Sequence, residues 1–552
     1  MEAPAVEARL AAAVKNSSRI GAAEWALICA LFLAALVFTA FTANDYGPTY
    51  DEPHYASAGA RYAAWWAGVL RGDLGALRAE EIERAWSLNH EHPPLQKVAS
   101  GFAQRWLGSV LPGLAAIRLP SALWFALVVC SVYLFTRRIW GRRGALFSAL
   151  ALATMPRVFA HAHLVALDMP IACWFFVTVA VTAEALRRNS WGWTLLAGLA
   201  FGFALLSKMN AFFLPVLLLP WGLIWYRQQW TKLVAVLAVG PAVFFLGWPW
   251  LWISPISHLR EYLGFHLGHA AYNVWYLGEL HQYAPWHYPF VLTAAATPAL
   301  LLLLAAGGAA RSWPRRGCDP GRVLLLLGLA VALLPSALPT SPKYNGVRLF
   351  LPAFPFLAAL AGGGFASVQL WLVGLLRLRA QDNKRLSALV CAALGAVLLY
   401  PGARAVRDSH PYQLSYYNAL VGGTAGATAT GRERSFETIY WGQVFEEAPQ
   451  FLNGIEQSDP RVLVIPRGVI YLLGFQQQAG ALRPDIQFLG DEEEARSADY
   501  VMFQCMESDY TELCWALVRE AEPAYALVPR ETPLLLAYDR EAVAAALARL
   551  RK

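Results

Sequence analysis

Two adjacent carboxylates follow directly on a long apolar run near the start of the chain. Asp51 and Glu52, with His54 two residues further on, lie in the stretch PTYDEPHYASAGARY. A carboxylate can act as a general base on a hydroxyl group, and an imidazole can accept or donate a proton. A charge at the end of a membrane span costs little, so a solvated loop pair explains the same residues. The neighbouring polar segments are needed to choose between these interpretations.

The segment NHEHPPLQK, residues 89–97, is the second polar group. Its two consecutive prolines predict a stiff, extended turn. Such a turn would present Glu91, His92 and Lys97 at fixed angles. A simple break between two interfacial helices is the alternative.

The third polar group is the segment MPRVFAHAHLVALDMP, which contains Arg157, His161, His163 and Asp168. Asp168 stands at the start of an apolar run, where a carboxylate stabilises a helix N-terminus. Helix capping is therefore a full alternative to a chemical role for Asp168. The two histidines are two residues apart and have no partner pattern, so they do not predict a metal site.

Three basic residues lie in loops where membrane proteins seldom place positive charge. They are Lys208 in LLSKMNAFF, and Lys343 and Arg348 in PTSPKYNGVRLF. The order of membrane spans predicted below places their loops on the outer side, whereas Lys and Arg prefer the cytoplasmic side. An anionic headgroup bound through charge-assisted hydrogen bonds would explain them. Pairing with the nearby acids is the alternative.

The composition indicates a polytopic membrane protein that positions these groups. Of 552 residues, 57% are hydrophobic and 15% are charged, too few charges to cover a soluble protein of this length. The chain also has 22 Trp, a residue favoured at membrane interfaces. The net charge of +7 comes from basic clusters in short loops, so it does not indicate a nucleic-acid partner.

The apolar runs predict about eleven transmembrane helices over residues 20–401. A polar N-terminus, residues 1–19, precedes them, and a signal anchor without cleavage is expected. Residues 44–118, between the first two spans, predict interfacial helices. The predicted spans are 21–43, 119–136, 144–160, 167–186, 191–207, 210–226, 233–252, 288–308, 323–339, 347–376 and 386–401.

Arg and Lys are concentrated in alternate loops, such as RRIWGRR, RRNS, YRQQWTK and RLRAQDNKR. This asymmetry predicts a cytoplasmic N-terminus. An odd number of spans then places the tail, residues 402–552, outside the cytoplasm. The runs RVLVIP, YVMFQC and LLLAYD predict that this tail is a small α/β domain. Cys505 and Cys514 lie in it, and their spacing leaves open whether they pair.

Acids, histidines and cations thus gather on one side of a bundle of spans, at the depth of the lipid headgroups. This arrangement suits a reaction on a lipid-linked, phosphate-bearing substrate, with an acceptor approaching from outside. A carboxylate would act as general base on the acceptor, and cations would hold the phosphate as it leaves.

The outer-loop motifs resemble those of a known superfamily. YDEPHYAS followed by HEHPPLQK is similar to the first outer loop of the dolichyl-phosphate-mannose protein mannosyltransferases and of the bacterial lipid A aminoarabinose transferases. ALDMP, LLSKMNAFF and VRLFLPAFPFLAALAG also resemble segments of this group, and the tail segments HPYQLSYYNALVGG and YWGQVFEEAPQFL resemble those of uncharacterised bacterial members. All belong to the GT-C glycosyltransferases, so the resemblance implies a mostly α, polytopic GT-C fold.

The resemblance also implies an activity and roles for residues. The expected reaction transfers a sugar, with inversion, from a polyprenyl-monophosphate donor in the bilayer to a glycan, lipid or protein acceptor outside the cytoplasm. The expected location is a bacterial inner membrane. Asp51 would be the catalytic base, supported by Glu52 and Asp168. The remaining candidates would bind substrate: His54, Glu91, His92, Lys97, Arg157, His163, Lys208, Lys343 and Arg348.

Two departures from the pattern leave the acceptor and the sugar open. The tail does not resemble the β-trefoil of the eukaryotic protein mannosyltransferases, and His92 stands where the lipid A enzymes have Lys. Other functions remain as alternatives: a transporter or flippase of a lipid-linked sugar, a polymerase or ligase with a polyprenyl-diphosphate donor, or a scaffold. No cofactor is assigned, and a divalent metal ion stays open because carboxylates alone do not define its site.

Overall fold

The computed structural model describes residues 20–268, 272–315, 317–376, 384–428 and 435–551. The predicted cytoplasmic segment 1–19 lies outside this part of the chain. The first half of the described chain is helical, and its helices are α1 Ala22–Phe41, α2 Glu52–Leu70, α3 Ala79–Trp86, α4 Leu95–Leu107, α5 Ala115–Ala153, α6 Pro156–His161, α7 Asp168–Arg188, α8 Trp191–Leu205, α9 Leu214–Tyr226, α10 Trp230–Gly247, α11 Trp250–Ile253 and α12 Pro255–Leu267.

A short antiparallel hairpin interrupts the helices after α12. It consists of β1 Val274–Tyr276 and β2 Glu279–His281. The helices then resume as α13 Tyr288–Ala296, α14 Ala299–Ser312, α15 Pro320–Ala337, α16 Ala353–Leu375 and α17 Lys384–Asp408.

The mostly helical membrane architecture predicted from the sequence is confirmed. Among the described residues, seven helices are long and apolar enough to cross a membrane, namely α1, α5, α7, α15, α16, α17 and α10 with the turn before it. Three shorter apolar helices accompany them: α8, α9 with the turn before it, and α14. The predicted total of eleven spans stays a prediction.

Helix α5 changes direction within its length. Gly141 has non-helical backbone angles, φ 76° and ψ 173°, which glycine adopts without steric cost. Arg118 near the start of α5 and Arg157 just after its end both lie at the face of the bundle that carries Asp168. Arg137, near the middle, pairs instead with Glu24 at the beginning of α1. The two parts of α5 on either side of Gly141 therefore run in opposite directions, and the second part ends at Ala153 rather than at the predicted residue 160.

The predicted interfacial segment, residues 44–118, contains α2, α3 and α4. Helices α2 and α4 cross at two glycines with almost no space between their backbones. A Cβ on Gly59 would stand 2.3 Å from the Lys97 carbonyl oxygen, and one on Gly101 would stand 2.0 Å from the Gly59 carbonyl oxygen. This close approach fixes α4, and with it the turn before Lys97, against the helix that begins at Glu52.

The C-terminal region forms a five-stranded mixed sheet. Its strands are β3 Arg461–Ile465, β4 Gln487–Leu489, β5 Tyr500–Gln504, β6 Tyr525–Leu527 and β7 Leu535–Asp539, and they lie in the order β4-β3-β5-β7-β6. Strand β3 is parallel to β4 and β5, whereas β7 is antiparallel to β5 and β6. The three β-rich runs seen in the sequence form β3, β5 and β7. The helices of this region are α18 Gly423–Thr428, α19 Ala448–Leu452, α20 Ile470–Gln478, α21 Glu512–Glu520 and α22 Arg540–Arg549.

Two apolar clusters cover the two faces of this sheet, one built on Val462 and Val464 and the other on Leu463 and Val501. Cys505 and Cys514 are both buried and both free thiols. Helix α17 continues through Pro401 to Asp408, so it passes the boundary predicted at residue 401. A separate domain over 402–552 stays a prediction.

The α2–α4 crossing predicts that Gly59→Ala lowers stability. The added methyl group meets backbone atoms rather than a flexible side chain, so the helices must move apart, at a cost of about 1–3 kcal/mol. We expect a lower midpoint of thermal unfolding, followed by tryptophan fluorescence in detergent.

Gly68→Ala is the matched control, because it lies in the same helix and its Cβ would meet only a side-chain atom at 3.8 Å. Its midpoint should stay equal or rise, since alanine favours helix. Equal midpoints for both variants would contradict the close crossing.

Candidate active site

A cavity of about 280 Å³ opens at the face of the helix bundle where α2 and α7 begin. Its walls come from segments far apart in the sequence. The polar and aromatic residues that line it include Tyr55, His92, Lys208, Asn210, His266, Tyr344 and Arg348. Apolar residues from both sides, among them Leu167, Phe213 and Leu338, complete the walls. Polar groups thus meet an apolar surface, as in a site that holds an amphipathic ligand.

Acids and cations alternate along one side of this cavity. Arg348 Nη2 lies 2.9 Å from Asp51 Oδ2, and Arg348 Nε lies 3.4 Å from Asp168 Oδ2. Lys208 Nζ donates a hydrogen bond to Asp168 Oδ1. The order is therefore Asp51, Arg348, Asp168, Lys208. Each charge has an opposite neighbour, which offsets the cost of burying it.

Local sequence accounts for where these four side chains stand. Asp51 is the residue before α2, and Asp168 is the first residue of α7, so both lie at helix N-termini, where negative charge is stabilised. Lys208 follows the end of α8, and Arg348 lies in a short 3-10 turn between α15 and α16. Capping alone does not explain Asp168, because its carboxylate also pairs with two cations.

The two acids differ in their access to solvent. The Asp51 side chain is 30% exposed, whereas that of Asp168 is fully buried. Arg348 and Lys208 are 9% and 13% exposed. Asp51 is therefore the carboxylate that an incoming molecule can reach, and Asp168 serves to hold the two cations.

Several buried polar atoms around Asp168 make no hydrogen bond within the described structure. They are Asp168 Oδ2, Arg348 Nε and His161 Nδ1. His161 Nδ1 lies 3.9 Å from Asp168 Oδ2. Burial lowers the pKa of His161 to about 3, so this imidazole is neutral at physiological pH. Buried donors and acceptors without partners are costly, so these atoms mark the part of the site with unused binding capacity.

Trp441, which the sequence analysis did not single out, closes the site from the C-terminal region. Its indole Nε1 donates to Asp51 Oδ2 at 3.1 Å, and the Arg348 guanidinium lies over its ring at 4.1 Å from the centroid. Trp441 is fully buried, and its φ of +80° is unusual for a residue with a side chain. Trp441 belongs to the tail motif YWGQVFEEAPQFL, but only the tertiary contact links it to Asp51, 390 positions away.

Glu52 lies outside the cavity, although the sequence predicts it as a catalytic partner of Asp51. It is 1% exposed and forms an ion pair with the buried Arg118 at 2.6 Å. Its two oxygens also accept hydrogen bonds from the backbone N–H groups of Thr49 and Val165. Because both oxygens are occupied by the protein, the geometry favours a structural role for Glu52.

The turn before α4 brings His92 to the cavity and keeps Lys97 behind it. Lys97 is fully buried, and its Nζ donates to the carbonyl oxygens of Asn89 at 2.6 Å and His92 at 2.7 Å. Burial lowers the pKa of Lys97 to about 7. Glu91 accepts a hydrogen bond from the Asn89 side chain at 2.7 Å. Lys97 and Glu91 thus shape the turn rather than line the cavity.

His92 lines the cavity as a neutral imidazole. Burial and the nearby cations, Lys97 first among them, hold its pKa well below the ordinary value. A neutral ring can donate one hydrogen bond to a ligand oxygen, but it supplies no positive charge. The positive charge along this wall therefore comes from Lys208 and Arg348. Opposing acids keep the pKa of Arg348 raised against the effect of burial.

The remaining predicted residues are placed away from the cavity. His54 is exposed and packs against Tyr471. His163 is buried between Phe159 and Thr42, with which it makes hydrogen bonds of 2.7 and 2.8 Å. Lys343 is 3% exposed and donates to the backbone carbonyls of Leu338 and Ser341.

Arg157 lies behind the site rather than in it. Its guanidinium rests on the ring of Tyr417, 4.4 Å from the centroid, and its Nε donates to the Tyr416 carbonyl at 3.1 Å. Tyr440, the neighbour of Trp441, also contacts it at 5.9 Å. Arg157 thus fixes the C-terminal segment that carries Trp441.

No metal site is evident in the part of the chain that the structure describes. No three His, Cys, Asp or Glu side chains converge there in a way that could hold an ion. Both acids on the cavity side are already paired with cations. The residues on the cavity therefore fit a phosphate-bearing ligand better than a bound metal ion.

Fold and site together define a multi-pass membrane protein with a charged cavity at the end of its spans. The family model described as dolichyl-phosphate-mannose-protein mannosyltransferase matches residues 92–253. An undecaprenyl phosphate-alpha-4-amino-4-deoxy-L-arabinose arabinosyl transferase of Pseudomonas paraeruginosa is 30% identical over 354 residues, and one from Pseudomonas aeruginosa is 30% identical over 349 residues. These matches confirm the resemblance to GT-C membrane glycosyltransferases.

Each of these matches covers 60% of this chain and 60% of the relative, so the chain matches less than two thirds of the relatives' length. Among solved structures, ArnT from Cupriavidus metallidurans bound to undecaprenyl phosphate has a TM-score of 0.48 at 18% identity, covering 94% of this chain and 98% of that one. The Archaeoglobus fulgidus oligosaccharyltransferase has a TM-score of 0.47 at 13% identity, covering 86% and 69%.

The buried Glu52–Arg118 pair predicts a large loss of stability for Glu52→Gln. The substitution leaves the Arg118 charge buried without its counter-ion, which typically costs about 3–5 kcal/mol. We expect a clear fall in the midpoint of thermal unfolding in detergent.

Glu81→Gln is the control, because Glu81 pairs with Arg84 at the surface. A surface pair contributes about 0–1 kcal/mol, so this midpoint should barely move. A Glu52→Gln protein as stable as the wild type would contradict the structural role.

Proposed function

We propose that the protein is a glycosyltransferase that moves a sugar from a polyprenyl-monophosphate donor to an acceptor outside the cytoplasm, with inversion at the anomeric carbon. The observation that most directly supports this proposal is the position of Asp51. This partly exposed carboxylate contacts Arg348, which lines the cavity together with Lys208. A base and a phosphate-binding wall therefore lie side by side.

In the proposed reaction, Asp51 takes the proton of the acceptor hydroxyl. The acceptor oxygen bonds to the anomeric carbon as the bond from that carbon to the phosphate oxygen breaks. The electron pair leaves with the phosphate, which changes from a diester with one negative charge to a monoester with two. One negative charge thus moves from Asp51 to the phosphate, and the total charge in the cavity is unchanged.

Arg348 is placed to stabilise the negative charge as it moves from Asp51 to the phosphate. Its guanidinium contacts Asp51 before transfer, and its Nε is buried without a hydrogen bond. As Asp51 becomes neutral and the phosphate gains charge, Arg348 can strengthen its contact with the phosphate. Lys208 would add a second cation, held in place by Asp168. Such groups stabilise charge that develops in the transition state without reorganising at that moment.

Two kinds of relative support different donors. The matching family model is described for mannose on dolichyl phosphate, and the curated relatives are described for aminoarabinose on undecaprenyl phosphate. Both are sugars on a polyprenyl phosphate, and this shared chemistry is what we propose for the present chain. His92 contributes a neutral hydrogen-bond donor to the cavity, so it would contact the sugar or the phosphate without adding charge.

The proposed location is the inner membrane of a bacterium, with the N-terminus in the cytoplasm and the cavity and C-terminal sheet on the outer side. Supporting this orientation, Arg137, Arg138, Arg187 and Arg188 lie at the face opposite the cavity. Basic residues prefer the cytoplasmic side. The acceptor would then approach Asp51 from outside, beside the C-terminal region.

The test of the proposed base is Asp51→Asn in purified protein reconstituted in nanodiscs. The assay follows loss of radiolabel from undecaprenyl-phosphate mannose and from undecaprenyl-phosphate aminoarabinose, with membrane extract as acceptor. Removal of a general base costs about 10²–10⁴-fold, so we expect at least a hundredfold lower turnover. Donor binding should persist, since the amide has the same size as the carboxylate.

Arg348→Gln and Lys208→Met serve as the comparison, because they should weaken donor binding as well as turnover. An Asp51→Asn variant with more than a tenth of wild-type turnover would rule out the base role. Donor that binds tightly but stays intact in the wild type would favour a transporter of lipid-linked sugars.

The contact between Trp441 and Asp51 predicts a second effect on turnover. Trp441→Phe keeps an aromatic ring beside Arg348 but removes the N–H that holds Asp51. A hydrogen bond to a charged group contributes about 1.5–3 kcal/mol, so we expect kcat to fall about tenfold or more. The KM for the donor should change less than twofold, because the phenyl ring stays beside Arg348 and keeps that cation in place.

Trp371→Phe is the control, since Trp371 is largely exposed on the membrane helix α16. It should leave both constants unchanged. A Trp441→Phe variant that raises KM and leaves kcat intact would show that Trp441 acts on binding and not on the base.

A further inference from the structure

A second cavity, of about 400 Å³, lies at the opposite end of the helix bundle. Four arginines, one glutamate, one aspartate and three aromatic residues contribute to its walls. We call it the arginine cavity and define it by Arg138, Glu184, Arg187, Arg188, Trp221 and Tyr226.

The arginine cavity is separated from the candidate active site by the thickness of the bundle. Helix α7 begins at Asp168 and ends at Arg188, 21 residues later. A helix of that length is about 30 Å long, close to the thickness of the hydrocarbon core. The ends of α7 and α9, the start of α15 and the middle of α5 meet around this cavity. It therefore stands at headgroup depth on the other membrane face.

Positive charge exceeds negative charge on its walls. Arg138, Arg187 and Arg188 all direct guanidinium groups at the single carboxylate of Glu184, with Arg187 at 2.7 Å. Asp319 on the facing wall offsets one further charge, and its Oδ1 already accepts from the backbone N–H of Gly321 at 2.8 Å. Arg137 also lines the cavity but pairs with Glu24. Among the described residues, one guanidinium charge of the three around Glu184 has no matching carboxylate on the cavity walls.

The same arginines retain access for a ligand. The side chains of Arg138, Arg187 and Arg188 are 35%, 42% and 48% exposed, whereas Glu184 is only 13% exposed. Each guanidinium has five N–H donors in a planar fork that matches phosphate oxygens. Glu184 thus holds the three arginines together from behind while their outer edges face the cavity.

An apolar wall stands beside these cations. Trp221 is buried, and its Nε1 donates to the Pro320 carbonyl at 2.9 Å, so its ring is held in one orientation. Tyr226 follows one turn later, and Phe135 adds a third ring. The preference of basic residues for the cytoplasmic side of a membrane would already be satisfied by solvated arginines in open loops. Arginines around a partly open cavity between helices, with aromatic rings at its side, are typical of a site for a lipid headgroup.

We propose that the arginine cavity binds the phosphate group of an anionic ligand, with Arg138, Arg187 and Arg188 contacting the phosphate oxygens. The aromatic wall favours a phospholipid headgroup, whose glycerol and first methylene groups would lie on the partly exposed rings of Phe135 and Tyr226. The same cations would also accept a soluble phosphate ester. This site is independent of the proposed transfer reaction, because it lies at the other membrane face and shares no residue with the first cavity.

The test uses the full-length protein, purified in a neutral detergent and stripped of lipid. Binding of phosphatidylglycerol, cardiolipin and zwitterionic phosphatidylethanolamine is measured by native mass spectrometry and by the rise in the unfolding midpoint. Glycerol 3-phosphate and inorganic phosphate are measured in parallel. We expect the anionic lipids to bind at least tenfold more tightly than phosphatidylethanolamine.

The variant is Arg187→Gln with Arg188→Gln, which leaves Arg138 paired with Glu184. We expect it to bind the anionic lipids about tenfold more weakly. The control is Arg227→Gln with Arg385→Gln, which removes the same charge from exposed positions that do not line the cavity. The control should bind like the wild type, whereas a general surface-charge effect would weaken both pairs equally.

The outcomes distinguish a phospholipid from a soluble phosphate ester. They also distinguish support for the proposal from its failure. Selective loss of phospholipid binding in the Arg187/Arg188 variant supports a headgroup site. Equally tight, variant-sensitive binding of glycerol 3-phosphate supports a site for a soluble phosphate. Anion binding that is the same in wild type, variant and control overturns the proposal, and so does an absence of binding by all probes. Donor turnover in the earlier assay plays no part in either result.

Discussion

The ion pair between Glu52 and Arg118 is the interaction on which the candidate site depends. All five N–H groups of the Arg118 side chain donate hydrogen bonds, two to Glu52 and three to the carbonyl oxygens of Ala43, Tyr46 and Gly47. Glu52 in turn accepts from the backbone N–H of Val165, in the loop before Asp168. One buried pair therefore ties together the end of α1, the start of α2, the start of α5 and the loop before α7. It brings Asp51 and Asp168 to the same cation, Arg348, which lines the cavity.

Charge is tolerated at this depth because it alternates. Asp51, Arg348, Asp168 and Lys208 each contact a neighbour of opposite sign, and the most buried of them, Asp168, contacts two. The pairing is not complete, since Asp168 Oδ2 and Arg348 Nε lie 3.4 Å apart and make no hydrogen bond within the described part of the chain. A fully satisfied network would favour rigidity alone. An incompletely satisfied one, open to a cavity through the partly exposed Asp51, has capacity left for a ligand.

The C-terminal region does more than cover the bundle. Its segment around Trp441 passes so close to the loop before α2 that a Cβ on Gly47 would stand 2.1 Å from the Gln443 carbonyl oxygen. The Tyr50 backbone N–H donates to the Trp441 carbonyl at 3.1 Å. These backbone contacts set the indole against Asp51 and Arg348. The membrane helices place the acids and cations, and the C-terminal segment decides how Asp51 is oriented and how much of it is exposed.

Much of the architecture follows from the sequence. Long apolar runs must become helices in a bilayer, because no other local structure satisfies every backbone group there. Charged residues must then lie at the ends of those runs, which is why Asp51, Asp168, Lys208 and Arg348 could be chosen as candidates. The β-rich runs of the tail form strands for an equally local reason. The matches to membrane glycosyltransferases agree with the motifs that the outer loops contain.

The tertiary structure decided which candidates share a cavity. Consecutive residues at a helix start point in directions about 100° apart, so Asp51 faces the cavity while Glu52 turns inward to Arg118. Sequence spacing contains no information about that choice, since it depends on which surface the helix packs against. Lys97, His163 and Lys343 are polar residues of the right type, but backbone carbonyls or neighbouring side chains hold them away from the cavity. Trp441 contacts Asp51, which lies hundreds of positions away in the sequence. Arg118 is buried against Glu52. Only the folded chain creates these contacts.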